Sequence, residues 1–432
     1  MQDSAHLLRT RRFLPIFVTQ FLGAFNDNLF RTSMVMLVIY GIYKDATQEA
    51  TFSAIAGGLF ILPFFLLSAL SGQLADERDK ARIVRIVKTA EILIMIVGAI
   101  GLLRHNVPML LLALFAMGVH STFFGPIKYA ILPQHLRSDE VLAGTGLVEA
   151  GTYIGILGGT LLGGVLVLQN PDGSFHAEWA AVGVLAVALI GRISGQFVPP
   201  APPAPDAPPF HFDWHIIRAS RTLVSSTLHI PRLFLAILAI SFFWSMGAVL
   251  AAQFPPLVKN ALGADQSVAT LFLATFSVGV AIGSVAVNRL LRGQVSARYS
   301  PASALLMGLF VLDLFRRVKS WPEPAAQLRD LTTLLNMPNG WMIVLDLLGV
   351  AIAGGMFVVP LYAFLTTTVA KAETARTIAA NNIVNSGFMV AAALILTGAV
   401  QLGVTVADSL LIVAIASVVA AWLGWKLHKA CD

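Results

Sequence analysis

The chain is poor in cysteine, in charge and in metal-ligating patterns, and each shortage removes a class of function. Its one cysteine, Cys431, is the penultimate residue, so no intramolecular disulfide can form. Only 12% of its 432 residues are charged, whereas soluble domains carry about 25%. There is no Cys/His cluster with zinc spacing and no HExxH, which leaves a metal-dependent membrane protease unsupported. A GxxxxGK[ST] phosphate loop is also missing, which argues against ATP-driven transport. No nucleophile–base pair stands out, so the expectation is a protein that is not an enzyme, with no cofactor and no metal.

Apolar residues are plentiful. They make up 57% of the chain, and the mean hydropathy is +0.78, values that belong to an integral membrane protein. A pI near 9.6 does not point to nucleic acid, because the basic residues are scattered through short connections and form no basic face with interleaved aromatics. Arg9, Arg11 and Arg12 precede a long apolar run, as in a signal peptide. That run is longer than a signal h-region and is interrupted by charge, so it reads as a retained first helix.

A helix needs roughly 20 mostly apolar residues to span a bilayer. Such runs occur at 13–43, 52–75, 83–103, 108–134, 141–169, 179–198, 232–258, 266–291, 299–315, 341–369, 375–401 and 405–427. The expected fold class is therefore all-α, with twelve transmembrane helices. VPPAPPAPDAPP (198–209) favours an extended polyproline-like stretch, which divides the chain into a six-helix half at 1–198, a linker at 199–231 and a second six-helix half at 232–432. Lys and Arg concentrate in the connections on the side of the termini. The opposite connections hold only Lys44, Arg104, Lys259, Arg316, Arg317, Lys319 and Arg329. Both termini and the linker should then face the cytoplasm. The outer loop 316–340 is long enough for a short surface helix, and no function is assigned to it.

Three pairs of segments recur in order. GQLADER (72–78) matches GSVAVNR (283–289), PIKY (126–129) matches PLY (360–362), and LAGTGLVE (142–149) matches IAANNIVN (378–385). Together they predict two halves related by duplication.

GQLADERDKAR (72–82) resembles the loop between the second and third helices of the major facilitator superfamily. QFLGAFNDN (20–28), PIKYAILPQHL (126–136), LVEAGTYIGILGGTLLGG (147–164) and GGMFVVPLYAFL (354–365) resemble the bacterial lysophospholipid transporters within it. The resemblance implies a pseudo-symmetric major facilitator fold in the bacterial inner membrane. It also implies a flippase-like transporter that brings lysophospholipids, notably lysophosphatidylethanolamine, to the cytoplasmic leaflet by alternating access. An acyltransferase then restores the second chain. None is fused here, so that partner is expected to be a separate protein, with the transporter itself a monomer surrounded by membrane lipids. One departure is visible. Some relatives carry an arginine in the seventh helix opposite the first-helix aspartate, and LFLAILAISFFWSMGAVLAAQF (233–254) has no charge.

Ionised and amide groups inside a membrane are costly and usually mark a pathway. Gln20, Gly23, Ala24, Asp27 and Arg31 share one stripe of the first helix. Asp27 is either an anionic contact for a cationic headgroup or a brace paired with Arg31, and Asn28 flanks it. Lys128 either holds a lipid phosphate or snorkels to the interface. Glu149 should point inward and pair with Lys128 or Arg31. Asn381, Asn382 and Asn385 form an amide cluster that either donates to substrate oxygens or joins helices; Asn381 and Asn385 are taken into the candidate site. By analogy with the family, Asp76, Arg78 and Arg82, together with Lys80, latch the cytoplasmic mouth. Gly151, Gly155, Gly159 and Gly163 form a small-residue groove, with Gly279 and Gly283 as its expected opposing face. Phe243 and Trp244 read either as lining of an acyl-chain path or as packing. Glu91 and Asp346 have no assigned partner.

Two rival functions stay open at this point: a proton- or ion-coupled exporter of amphipathic small molecules, with Asp27 or Glu149 protonated, and a non-transporting scaffold that presents lipid to an acyltransferase.

Overall fold

The computed structural model describes residues 4–42, 46–169, 175–203, 215–264, 266–322, 329–370, 373–402 and 404–431. The centre of the proline-rich stretch and part of the outer loop lie outside these residues. Among the described residues there are twelve long helices. They are α1 Leu14–Met36, α2 Ala46–Glu77, α3 Lys80–Leu103, α4 Val107–Ala130, α5 Val141–Leu166 and α6 Glu178–Gln196, then α7 Pro231–Pro256, α8 Gln266–Leu291, α9 Ser300–Lys319, α10 Gly340–Thr368, α11 Thr374–Gln401 and α12 Val406–Cys431. Ten are long and apolar enough to cross a membrane; α1 and α9 are the other two. The deficit in α1 comes from the same Asn, Asp and Arg residues that make it a functional candidate. A two-residue strand pair, β1 Leu168–Gln169 and β2 Phe175–His176, is antiparallel with Leu168 opposite His176. A short helix at Leu331–Asn336 lies in the outer loop.

Local chemistry sets the boundaries. Asp79 caps α3 by accepting from the Ala81 amide at 2.8 Å, and Asn106 caps α4 by accepting from Met109 at 3.0 Å. Both use the unpaired amides of a first turn. Pro15, Pro108 and Pro301 fall in first turns, where their missing N–H costs nothing. α1 ends in a π-helical segment, Leu37–Ile42, and α7 ends in another, Leu257–Ala261.

The chain divides into two compact units, residues 1–227 with 366–383, and residues 228–365 with 384–432. In the first, α1 packs on α5 and α6, α2 on α4, and α3 on α4 and α6. In the second, α12 packs on α7 and α9, and α8 packs on α10 through Gly279 and Gly283. The α1–α6, α3–α6 and α2–α4 pairings thus recur six helices later, which is the internal repetition that the segment matches predict.

Lipid tails are as apolar as leucine, so close packing and polar contacts, rather than a hydrophobic drive, hold such helices together. An added Cβ at Gly159 would stand 2.1 Å from the Phe25 carbonyl oxygen, and one at Gly163 would be 2.7 Å from that of Leu29. The groove of α5 therefore receives α1. Gly279 and Gly283 do not oppose it; a Cβ at Gly283 would meet the Ile352 carbonyl of α10 at 2.0 Å. Leu29, Phe30, Met34, Met95 and Leu114 fill the core among α1, α3 and α4. The linker helix Ile216–Leu228 seats Ala219 and Leu223 on Ala69 of α2 and on Ala379, Ala380 and Ile383 at the start of α11.

Candidate functional site

The polar residues of α1 divide between two directions. Gln20, Gly23 and Asn26 are buried toward the helices of the first unit, whereas Asp27 and Asn28 are half-buried and Arg31 is exposed. Ser121 of α4 donates to Asp27 Oδ2 at 2.7 Å. Among the described residues no ion pair joins Asp27 to Arg31, so the bracing alternative is not realised. Asn28 spends its amide on its own helix, donating to the Ala24 carbonyl at 2.8 Å.

Lys128 and Glu149 lie near one another without closing a direct ion pair among the described residues. The Lys128 ammonium stands 3.5 Å from Thr152 Oγ1 and 4.8 Å from the centre of the Tyr129 ring. Thr152 passes the contact on by donating to Gln20 Oε1 at 2.9 Å. Glu149 is buried and accepts from the Tyr129 hydroxyl. Asp27 Oδ1, Glu149 Oε2 and Gln20 Nε2 are enclosed polar atoms with no hydrogen-bond partner among the described residues. α1, α4 and α5 therefore present an acid, an ammonium and a second acid with polar capacity to spare.

Asn381, at the start of α11, is fully buried, and neither atom of its amide has a hydrogen-bond partner among the described residues. Asn382 lies against Gly125 of α4, where a Cβ would be 3.5 Å from its Nδ2. Asn385 falls in the second unit and accepts from Ser241 of α7 at 2.7 Å. Of the aromatic candidates there, Trp244 Nε1 donates to the Tyr362 hydroxyl at 2.7 Å, and Phe243 is buried beside Phe357.

At the other end of α2, Asp76 is fully buried. It accepts from the backbone amides of Ala375 and Arg376, both at 2.9 Å, and so caps the first turn of α11. Arg376 in turn donates to Glu77 at 2.7 Å. Arg78 and Arg82 are exposed. The polar contacts of this end of α2 thus run from Asp76 and Glu77 to the first turn of α11, and Arg376 lies outside the loop motif.

Glu140, between α4 and α5, ties down the segment before α1. Arg12 donates to it at 2.6 Å, and the Arg137 amide does so at 2.9 Å. Burial pushes its carboxyl up, but these hydrogen bonds and the two guanidinium charges outweigh burial and hold it below the usual carboxylate range.

Glu91 and Asp346 are not solitary. Asp346 accepts from Arg317 at 2.9 Å, as Asp313 does at 2.8 Å. Glu91 pairs with Lys88 one turn earlier on α3 and accepts from Asn26 at 2.7 Å. It also lies 3.3 Å from His120 Nε2. Lys88, Glu91 and His120 are all buried. The signal was present in the sequence as ionisable residues inside apolar runs, but their pairing depends on which helices adjoin. No group of His, Cys, Asp and Glu that could hold a metal ion occurs among the described residues.

The family model of the Major Facilitator Superfamily matches residues 16–394. The lysophospholipid transporter LplT of Pectobacterium carotovorum subsp. carotovorum (strain PC1) is 26% identical over 416 residues, spanning 94% of this chain and 90% of its own. That of Cronobacter sakazakii (strain ATCC BAA-894) is 27% identical over 363 residues, 83% of this chain and 81% of its own. Among solved structures, the human organic anion transporter MFSD10 (TETRAN) superposes with a TM-score of 0.76 at 14% identity, over 96% of this chain and 99% of its own. FucP in the outward conformation superposes at 0.68 with 13% identity, over 96% and 98%. At such identities the solved structures bear on the fold alone.

Proposed function

This chain belongs to the Major Facilitator Superfamily, and on that premise we propose that it is a transporter, not an enzyme, that carries lysophospholipids, notably lysophosphatidylethanolamine, across the bacterial inner membrane to the cytoplasmic leaflet. The observation that carries this reading is the presence, on adjoining helices, of a half-buried carboxylate, Asp27, whose Oδ1 has no hydrogen-bond partner among the described residues, and of the Lys128 ammonium, held at 3.5 Å from Thr152 Oγ1. A zwitterionic headgroup offers the complements. Its ammonium suits the free Oδ1 of Asp27, and its phosphate suits Lys128, a flexible point charge. The buried amide of Asn381 would add neutral donors without adding charge.

Alternating access of the two six-helix halves would move the head between leaflets. Asp76, Glu77 and Arg376 would act as a cytoplasmic latch, with Arg78 and Arg82 at its rim. A separate acyltransferase would consume the product. The similarity in sequence to transporters named for lysophospholipids supports the substrate class.

Uptake of labelled lysophosphatidylethanolamine into spheroplasts expressing the chain tests this reading, with diacyl phosphatidylethanolamine and Asp27→Asn as controls. Selective uptake that the substitution abolishes is expected. Uptake no greater than that of empty membranes would refute it and turn attention to export of amphipathic small molecules.

A further inference from the structure

The segment before α1 and the end of α6 border a cavity of about 560 Å³, and neither Asp27 nor Lys128 lines it. Leu14 and Val18 of α1 and Phe197, just past α6, give it apolar walls, and Arg9 and Arg11 bring two guanidinium groups to it. No acid is among its described lining residues.

The neutral donors there are already committed. Ser194 Oγ donates to the Pro15 carbonyl at 3.1 Å, and Thr10 Oγ1 donates to the Leu7 carbonyl at 2.8 Å. Glu140, the acid that ties down this segment, is taken by Arg12 at 2.6 Å, Arg137 at 3.1 Å and His6 at 3.4 Å. Arg9 and Arg11 are exposed and make no hydrogen bond or ion pair among the described residues. The cavity therefore carries two uncompensated positive charges.

Its apolar wall continues along α6. Ile190, Ile193 and Phe197 recur at three- and four-residue spacing, so they share one face, and they are 52%, 61% and 67% exposed. α6 is long and apolar enough to cross a membrane, so this face meets lipid tails while its end, with the two arginines, falls at the level of the headgroups. That combination selects the ligand. A zwitterionic head would bring an ammonium to a cavity that offers it no acid, and a soluble phosphate would leave the apolar face unused. A phospholipid of net negative charge uses both, since guanidinium groups pair with phosphate oxygens and basic pockets between membrane helices hold anionic heads.

We infer that this cavity is a binding site for an anionic diacyl phospholipid, with the phosphate held between Arg9 and Arg11 and one acyl chain lying along Phe197, Ile193 and Ile190. Arg12 ties the same segment to Glu140, so the bound lipid anchors the start of α1 against the connection between α4 and α5. The site is separate from the one proposed for substrate, and the inference stands whatever the cargo is.

The test is native mass spectrometry of the full chain purified in a mild detergent and titrated with dioleoylphosphatidylglycerol, dioleoylphosphatidylethanolamine or glycerol phosphate. The wild type should hold phosphatidylglycerol at least about tenfold more tightly than phosphatidylethanolamine, the preference expected of two arginine contacts. Arg9→Gln combined with Arg11→Gln should abolish that preference; both side chains are exposed and without a partner among the described residues, so the variant should fold. Arg104→Gln, which removes an exposed arginine outside the cavity, should keep the preference. Phe197→Ser should weaken retention of both lipids and leave the preference in place, a measurement that also decides the matter if the double variant fails to insert. Equal retention of the two lipids by the wild type, an undiminished preference in the double variant, or unchanged retention in Phe197→Ser overturns the inference. Glycerol phosphate held as tightly as phosphatidylglycerol overturns it too, because the apolar face would then contribute nothing.

Discussion

The carboxylate of Asp76 accepts the backbone amide of Arg376 at 2.9 Å, joining residues 300 positions apart. The amide of Ala375 binds its other oxygen at the same distance. The carboxylate thereby covers the positive end of α11, where an anion is electrostatically favoured.

Replacing Asp76 by Ala leaves two buried amides without an acceptor, at about 1–3 kcal/mol each. Transport should fall at least about tenfold, an effect equivalent to about 1.4 kcal/mol, with a lowered melting temperature in detergent. Asp76→Asn keeps one acceptor and should fall between. Wild-type uptake by both variants would show that the cap is not a latch.

Asp27→Asn, Lys128→Ala and Glu149→Gln should each cut lysophospholipid uptake by at least about tenfold, the cost of losing about one charge-assisted contact of 1.5–3 kcal/mol. Each variant should insert and melt much like the wild type. Normal transport by all three would place the substrate elsewhere, whatever the family.

Lys88→Met strands Glu91 beside His120 in a buried setting, and loss of one partner of such a pair costs about 3–5 kcal/mol. Lys88→Met combined with Glu91→Leu should be less destabilised than Lys88→Met alone, because no uncompensated charge remains. Thermal melting of the three variants in one detergent measures this; a double variant worse than both singles would contradict it.

Gly159→Val should disrupt α5 against α1, because even a first carbon meets the Phe25 carbonyl at 2.1 Å. Overpacking of this kind costs about 1–3 kcal/mol. Gly164, where nothing lies within 4 Å of an added Cβ, should tolerate Ala. Equal melting temperatures for the two variants would refute the packing assignment.

Glu140 makes a pH-dependent contribution. Its folded-state value lies below the unfolded one, so its stabilisation is fully present above the unfolded value, about 4.3, and is lost as pH falls through the folded value. The stability gap between wild type and Glu140→Gln should be constant above about pH 5 and shrink in stronger acid. Urea or thermal unfolding between about pH 3 and 7 reads it; a gap that widens in acid would reverse the assignment.

The number of helices, the paired halves and the presence of ionisable groups at Asp27 and Lys128 inside apolar runs were legible in the residues. Those features depend on local quantities: the length of an apolar run, its periodicity, and the cost of placing charge inside it. α1 illustrates both sides. Its Asp and Arg are visible as anomalies, but the sequence spacing of Asp27 and Arg31 favours a brace that the fold does not form, because Ser121 of another helix supplies the hydrogen bond.

Partnership was decided by tertiary structure. Glu91 reads as solitary in the chain, yet it gathers Lys88, Asn26 and His120 once α1, α3 and α4 adjoin. Gly279 and Gly283 read as a match for the α5 groove, yet they serve α10. The physical reason is range. Hydrophobicity and helix periodicity act over a few residues and are written along the chain, whereas ion pairs and close backbone contacts act over a few ångströms between helices whose adjacency no local pattern encodes.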